Sequence, residues 1–495
     1  MQTKQDILQW LDRNQSRFIE MADEIWANPE IAWHEFKASQ LQADFLADEG
    51  FEVWSIADMP TAFVAEWGQG QPIIGFLGEY DALPGLSQKA QPTQEPVKDG
   101  APGQGCGHNL LGTAGVAAAL VIKNWLEATR TPGTVRYYGC PAEERLSAKS
   151  FMARAGVFND LAVAFNFHPG TSNHVEKSSS VGLYSVRFQF HGRTAHAGSS
   201  PHLGRSALDA VELMNIGVNY LREHVLSNIR MHYVVTKGGE APNIVPDRAE
   251  VWYYLRAYQP DELRDLIARV CKVAQGAALM TETEVEEIFD AACANVLSNH
   301  YLADLQYQIL ESLGPINFTA EEIAFAQQLN DQYPPAVFED AIKHYRDKFK
   351  MPEEAIRKPL LAENPRPDDK DYVAGGSTDV GDASWCTPIS MLWTTCFAMA
   401  VPGHSWGNTA TSGMSIGHKG MMRAAEIMAL AALECYTDPT HIQKAREEFA
   451  RSTKGQPYKS MIPDEVAKPF IEVKPPVGNL AERYPPYPFY DSRRR

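Results

Sequence analysis

Gly103-Gln104-Gly105-Cys106-Gly107-His108-Asn109, followed at once by an apolar, small-residue run over residues 110–126, is the stretch on which the reading of this fold turns. The run predicts a helix that packs closely on a sheet, because Ala and Gly side chains keep backbones near one another. The preceding glycines permit a sharp turn, and a helix N-terminus favours a thiolate. Cys106 and His108, two residues apart on that turn, can therefore form one corner of a metal site. A tight turn with an incidental Cys and His is the competing reading.

On either side of this segment, residues 62–67, 73–77, 135–140 and 161–167 are short apolar runs bounded by Gly and Pro, which read as buried strands. A helix fits between the last two. Such alternation predicts an α/β domain with a mostly parallel sheet and functional groups at the strand ends. Residues 5–50 read as helical with a break at Asn28-Pro29, and residues 86–103 as a surface loop. After residue 180 the pattern changes. Residues 183–191, 231–237 and 248–254 alternate as strands, and residues 281–290 give a last strand. Helices fit 204–225, with Leu208, Val211, Leu213 and Ile216 inward, and 261–279. That order describes an inserted α+β, ferredoxin-like domain at residues 180–296. Residues 1–179 and 297–440 would form the catalytic domain, its second part helical over 297–350 and strand-rich over 370–435. Residues 441–495, charged and then rich in Pro and Tyr, form an extension expected to wrap the body or a partner.

A chain of 495 residues exceeds one typical core, and its 44% hydrophobic content can fill two. A net charge of −17 argues against nucleic acid or an anionic membrane as partner. The N-terminus is polar, and no apolar run approaches the roughly 20 residues of a bilayer span, so a cytoplasmic protein is expected. Seven cysteines without regular spacing do not make a disulfide framework. Cys271, Cys293, Cys386, Cys396 and Cys435 read as small core residues.

Four further motifs carry candidate chemistry: Glu79-Tyr80-Asp81-Ala82-Leu83-Pro84, Cys140-Pro141-Ala142-Glu143-Glu144, Phe165-Asn166-Phe167-His168-Pro169 and Gly403-His404-Ser405. Each is weak alone; a Glu-Glu pair is usually a solvated helix start, and a lone His usually a hydrogen-bonded core residue. Together they place Cys, His, Glu and Asp at successive strand ends, where such a sheet gathers its ligands. Adjacent carboxylates can then divide labour, one binding metal and the other moving a proton. Gly403-His404-Ser405-Trp406-Gly407 also matches a serine-hydrolase elbow, but residues 408–413 read as loop where the elbow needs a helix. A zinc deaminase is disfavoured because its Pro-Cys-x-x-Cys half is missing.

These motifs in this order, with GRTAHAGSSPHLGRSALDA, EAPNIVPD and GGSTDVGDASW, resemble the M20 metallopeptidase family in its aminoacylase and auxin-conjugate hydrolase branch. The resemblance implies a catalytic domain with an inserted lid or dimerisation domain and two divalent ions, manganese or zinc. Cys106, His108, Glu144, His168 and His404 would be the ligands, with the Cys106 thiolate bridging. Glu143 would be the general base, and Asp81 would orient a ligand imidazole, that of His108. His196 would stabilise a developing oxyanion across a subunit boundary. Asn243 and Arg256 would meet the substrate carboxylate, although Arg256 also reads as a plain surface charge. His202, Asp379 and Asp382 are further candidates. The implied reaction is amide cleavage in a small N-acyl amino acid, p-aminobenzoyl-glutamate among them. The implied assembly is a homodimer or a heterodimer with a related A-type subunit. A metal-binding partner subunit with little turnover of its own is the alternative. The sequence departs from many relatives at Asn109 and Glu79, where they carry Asp, and residues 318–366 are longer than in simpler aminoacylases.

Overall fold

Thr3 starts the first helix with a capping box, its hydroxyl accepting from the Asp6 amide while the Asp6 carboxylate accepts from the Thr3 amide. The computed structural model describes residues 3–366, 372–471 and 473–488. From that cap run α1 (Lys4–Ala27), α2 (Phe36–Asp48), β1 (Glu52–Ile56), β2 (Met59–Gln69) and β3 (Ile73–Gly78). After an irregular loop come α3 (His108–Thr129), β4 (Gly133–Gly139), α4 (Ala148–Arg154), β5 (Val163–Gly170) and β6 (His174–Glu176). Helix α3 is long and apolar enough to cross a bilayer, yet 89% of its apolar window is buried inside the fold. It is a core helix, apolar on nearly every side for that reason. Its Gly112 lies so close to β3's exit that a Cβ would meet the Glu79 carbonyl at 2.3 Å.

The insert comprises β7 (Gly182–His191), α5 (Ala207–Leu221), β8 (Arg230–Lys237), β9 (Arg248–Ala257), α6 (Pro260–Thr281) and β10 (Glu284–Cys293). Its strands form an antiparallel sheet ordered β10-β7-β9-β8, the ferredoxin-like arrangement, with both helices packed on one face. The inward stripe of α5 is Ala207, Ala210, Val211, Met214 and Val218. Ile216, expected inward, is 52% exposed, because two residues past Met214 it points to the opposite side of the helix.

The rest of the chain supplies α7 (His300–Leu313), α8 (Ala320–Asn330), α9 (Pro335–Phe349), α10 (Glu353–Ile356), α11 (Val380–Ser384), β11 (Ile389–Thr395), α12 (Trp406–Ser412), α13 (Ser415–Thr437), α14 (Pro439–Ser452) and α15 (Leu480–Arg483). The expectation of a strand-rich 370–435 was wrong: among the described residues β11 is the one strand there. Helix α13, packed on α3, is apolar nearly all round and so lacks the period that marks a surface helix.

The catalytic sheet is ordered β1-β2-β4-β3-β5-β11-β6. Its centre, β4-β3-β5-β11, is parallel, while β1, β2 and β6 run antiparallel at the flanks. The loops that leave the C-terminal ends of the central strands all open on one side, toward the insert. Beyond α14 the chain lies along its own body. Tyr487 donates its amide to the Ser55 carbonyl, Arg154 donates to the carbonyls of Val466 (2.7 Å) and Ala467 (3.0 Å), and Tyr458 donates to Asp382. Residues 489–495 lie outside the described residues.

Asp382 is buried and also accepts from Ser150 Oγ and the Ala294 amide, so the Tyr458 hydroxyl links the extension to the junction of both domains. Removing one donor from a buried carboxylate costs ~1–3 kcal/mol. Tyr458→Phe should therefore lower the urea midpoint of unfolding by that equivalent; an unchanged midpoint would show that the extension is held elsewhere.

Candidate active site

The turn between Cys106 and His108 depends on Gly107, whose φ of +77° is left-handed. A Cβ there would also press on Phe397 at 3.0 Å and Pro169 at 3.1 Å. This turn caps α3 and sets Cys106 against β5, where its Sγ lies 3.4 Å from His168 Nε2. The His168 ring is fixed from the other side by a 2.8 Å hydrogen bond to the Pro169 carbonyl. His108 is buried, with Nδ1 2.8 Å from Asp81 Oδ1.

The two glutamates leave β4 on a short turn held by two carboxylates. Ala142 is left-handed (φ +54°), an unfavourable state for Ala, and its amide donates to Glu35 at 2.8 Å. The Glu144 amide donates to Asp81 Oδ2 at 2.9 Å. Glu144 Oε2 then faces His404 Nε2 at 3.6 Å, with His404 exposed at the rim.

Donor atoms cluster in three groups, each within 4.8 Å: Cys106, His108 and His168; Cys106, Glu144 and His404; Glu79, His108 and Glu143. The first two share the Cys106 sulfur. His108 Nε2 and Glu144 Oε1 are buried with no hydrogen-bond partner among the described residues. Unpaired buried donors and acceptors are costly, and thiolate, imidazole and carboxylate together suit a divalent cation. The residues present therefore fit a pair of such ions.

Burial pushes Glu143 well above the usual carboxylate range, reinforced by Glu79, Glu144 and Asp379. Burial likewise raises Glu144 to about 7, against the pull of His108, and raises the Cys106 thiol. His168 is pushed down to about 4 by burial and by His108. Lys149, fully buried, answers this acidity with Nζ 2.8 Å from Glu79 Oε1 and 2.5 Å from Asp379 Oδ1.

Glu79, Cys106, Glu143, Glu144, His168 and His404 line a cavity of about 830 Å³ between the two domains, into which β9 sends Tyr254 and Arg256. Arg256 Nη1 donates to Ser377 Oγ at 3.0 Å and to the Gly375 carbonyl at 3.3 Å. His196 and Asn243 do not line the cavity. They sit together on the exposed surface of the insert, Ala197 N donating to Asn243 O at 3.0 Å, and His196 Nδ1 accepts from Gly198 and Ser199. His202 is exposed nearby. Of the further candidates, Asp379 pairs with Lys149, and Asp382 is taken by Ser150, Ala294 and Tyr458.

Residues 408–413, read as loop, belong largely to α12. Even so, no elbow forms. Ser405 is an extended N-cap residue whose Oγ donates to the Pro402 carbonyl at 2.8 Å.

A family model described as a peptidase dimerisation domain matches residues 179–279. Over 466 residues the chain is 41% identical to the B subunit of p-aminobenzoyl-glutamate hydrolase from Escherichia coli K12, spanning 92% of this chain and 96% of that one. The chain belongs to the M20 metallopeptidase family. Mouse Xaa-Arg dipeptidase is 31% identical over 331 residues, 63% of this chain and 72% of that one. The crystal structure of the Bacillus subtilis YXEP protein, a dinuclear metal-binding peptidase of the M20 family, shares the fold with a TM-score of 0.55 at 16% identity, over 86% of this chain and 99% of that one. As a member of this family the chain is a hydrolase.

Glu35, Lys149, Asn166 and Trp393 escaped the reading of the sequence. Each sits in an ordinary-looking helix start, helix or strand, and tertiary packing alone brings it to the site. Glu35→Ala would leave the Ala142 amide unheld and loosen Glu144; its cation affinity should fall by roughly 10–100-fold. Glu35→Gln, whose carbonyl can still accept, should recover most of that in isothermal titration with zinc or manganese. Because Cys106 and Glu144 hold protons near neutrality, cation uptake must displace them. Affinity should therefore rise with pH through about 7, with proton release seen as a buffer-dependent binding enthalpy.

Proposed function

We propose that this chain is a two-metal amidohydrolase that cleaves the amide bond of a small N-acyl amino acid, with p-aminobenzoyl-glutamate the foremost candidate. One observation carries the reading: two donor clusters share the Cys106 sulfur, while the adjacent Glu143 belongs to neither. Cys106, His108, Glu144, His168 and His404 would hold the ions, which when bound polarise a scissile carbonyl and lower the pKa of an attacking water. The mixed sulfur, nitrogen and oxygen set suits zinc on softness, and manganese is the ion the family resemblance implies.

The chain's own residues do the rest. Glu143 takes a proton from the attacking water and passes it to the leaving amine, and its burial among carboxylates raises its hold on that proton. Asp81 fixes the His108 ring so that Nε2 faces inward. Arg256 retains N–H donors beyond the two bonds of its Nη1 and meets the substrate carboxylate from the roof. His196 and Asn243, remote from this cavity, reach the equivalent cavity of a second protomer. That protomer is a copy of this chain or, as the name of the Escherichia coli relative suggests, a related A-type subunit.

Metal analysis and a panel of N-acyl amino acids, with and without chelator, test the reading. About two ions per chain and chelator-sensitive cleavage are expected; chelator-resistant cleavage would sink it. Glu143→Gln should keep its ions while losing turnover by roughly 10²–10⁴-fold, and loss of the ions would show that Glu143 is a ligand instead. Ser405→Ala should remain active.

A further inference from the structure

The cavity floor holds a feature that the ligand set does not use. Strands β5 and β11 run in parallel with Asn166 beside Met391 and His168 beside Trp393, and all four side chains line the cavity. Asn166 is 1% exposed, and its Nδ2 has no hydrogen-bond partner among the described residues. The same is true of the Trp393 indole nitrogen, whose ring lies 4.4 Å from that of His168. Two buried donors thus belong to one face of adjacent strands, offset by two residues in register. A buried donor left unpaired is costly, and groups of this kind in a cleft are normally satisfied by ligand or ordered water. Glu176, the nearby carboxylate on the floor, already accepts from Lys348 at 3.0 Å and from the Ser178 amide at 3.2 Å. The roof carries the cationic Arg256. The floor therefore offers neutral N–H donors, distinct from the guanidinium above.

We propose that Asn166 and Trp393 form a specificity subsite that receives an acceptor oxygen carried by the substrate away from its scissile amide. The proposal rests on the amidohydrolase reading above and adds a selection rule to it. A substrate bearing that oxygen satisfies both donors. An aliphatic analogue of equal length leaves them unpaired and is rejected, as happens when a pocket is built to hydrogen-bond its ligand. The oxygen can belong to the amino-acid side chain or to the far end of the acyl group.

Binding separates these sources without needing turnover. Zinc-loaded Glu143→Gln protein, with and without Asn166→Leu, is titrated calorimetrically with two ligand pairs. N-benzoyl-glutamate against N-benzoyl-norleucine varies the side chain, and N-(4-carboxybenzoyl)-norleucine against N-benzoyl-norleucine varies the acyl end. In the Asn166 protein the acceptor-bearing member of one pair should bind at least tenfold more tightly, which names the source. Asn166→Leu should abolish that preference while holding zinc at the same stoichiometry and binding N-benzoyl-norleucine within about threefold. Equal binding within both pairs, or an equal loss for every ligand on Asn166→Leu, would overturn the proposal and leave the floor to water. Chelator-sensitive hydrolysis by the unmodified protein is scored separately, so failure of the subsite and failure of the amidohydrolase reading give different results.

Discussion

One buried carboxylate, Asp81, sets the geometry on which the rest of the site depends. Its Oδ1 holds the His108 ring at 2.8 Å and its Oδ2 holds the Glu144 amide at 2.9 Å. It thereby joins the start of α3 to the turn leaving β4, two segments distant in the chain that each carry a proposed ligand. Burial alone would raise its proton affinity, but the His108 ring, the Glu144 amide and Lys149 outweigh that and keep it below the usual carboxylate range. Glu35 beside it is driven the other way, to about 8, by burial and by Asp81 itself. Two neighbouring carboxyls thus divide one charge, which avoids the cost of two unpaired buried anions.

The strained Ala142 follows from this arrangement. A non-glycine residue in the left-handed region persists only where the surroundings overdetermine it. Here Glu35 grips the Ala142 amide and Asp81 grips the Glu144 amide, two residues apart. The turn between them has little freedom left, and it sends Glu143 and Glu144 to different neighbours. Glu144 meets Cys106 and His404, whereas Glu143 meets Glu79 and His108. The different surroundings of these adjacent identical residues are thus a backbone property, imposed by two carboxylates outside the proposed ligand set.

That origin also explains what the sequence made legible. Cys106, His108, His168 and the Glu143-Glu144 pair announce themselves because each lies at or near the end of a strand or the start of a helix, and a parallel sheet brings such ends together. The ferredoxin-like insert was readable because β9 and the second half of β7 alternate cleanly over one buried face. Helix α13 was not, since burial on all sides erases amphipathic period. Lys149 was hidden differently. In Ser147-Ala148-Lys149-Ser150 it looks like a solvated helix residue, yet it is fully buried, because Glu79 and Asp379 arrive from distant parts of the chain. Asn166 and Trp393 carry no signal of their own until strand register sets their unpaired donors on one face of adjacent strands, two positions apart.

The charge of the cavity gives the proposed ions a second task. Among the described residues its walls present four carboxylates, Glu79, Glu143, Glu144 and Glu176, against the single guanidinium of Arg256. Lys149 stands behind Glu79, and Lys348 behind Glu176. Once cation uptake has displaced the protons that burial holds on them, such groups would repel an N-acyl amino acid, which carries at least one carboxylate of its own. Two divalent ions at the Cys106-centred clusters would reverse that field where the substrate must sit, since a bound cation is the largest local charge in its site. Arg256, alone on the roof, could then fix the carboxylate bidentately without also having to neutralise the floor. On this view the ions would offset the negative charge that their own binding unmasks and so help to hold the substrate carboxylate, beside their proposed part in amide cleavage. The chain's overall charge of −17 is then no obstacle to an acidic substrate, because the field that matters is local.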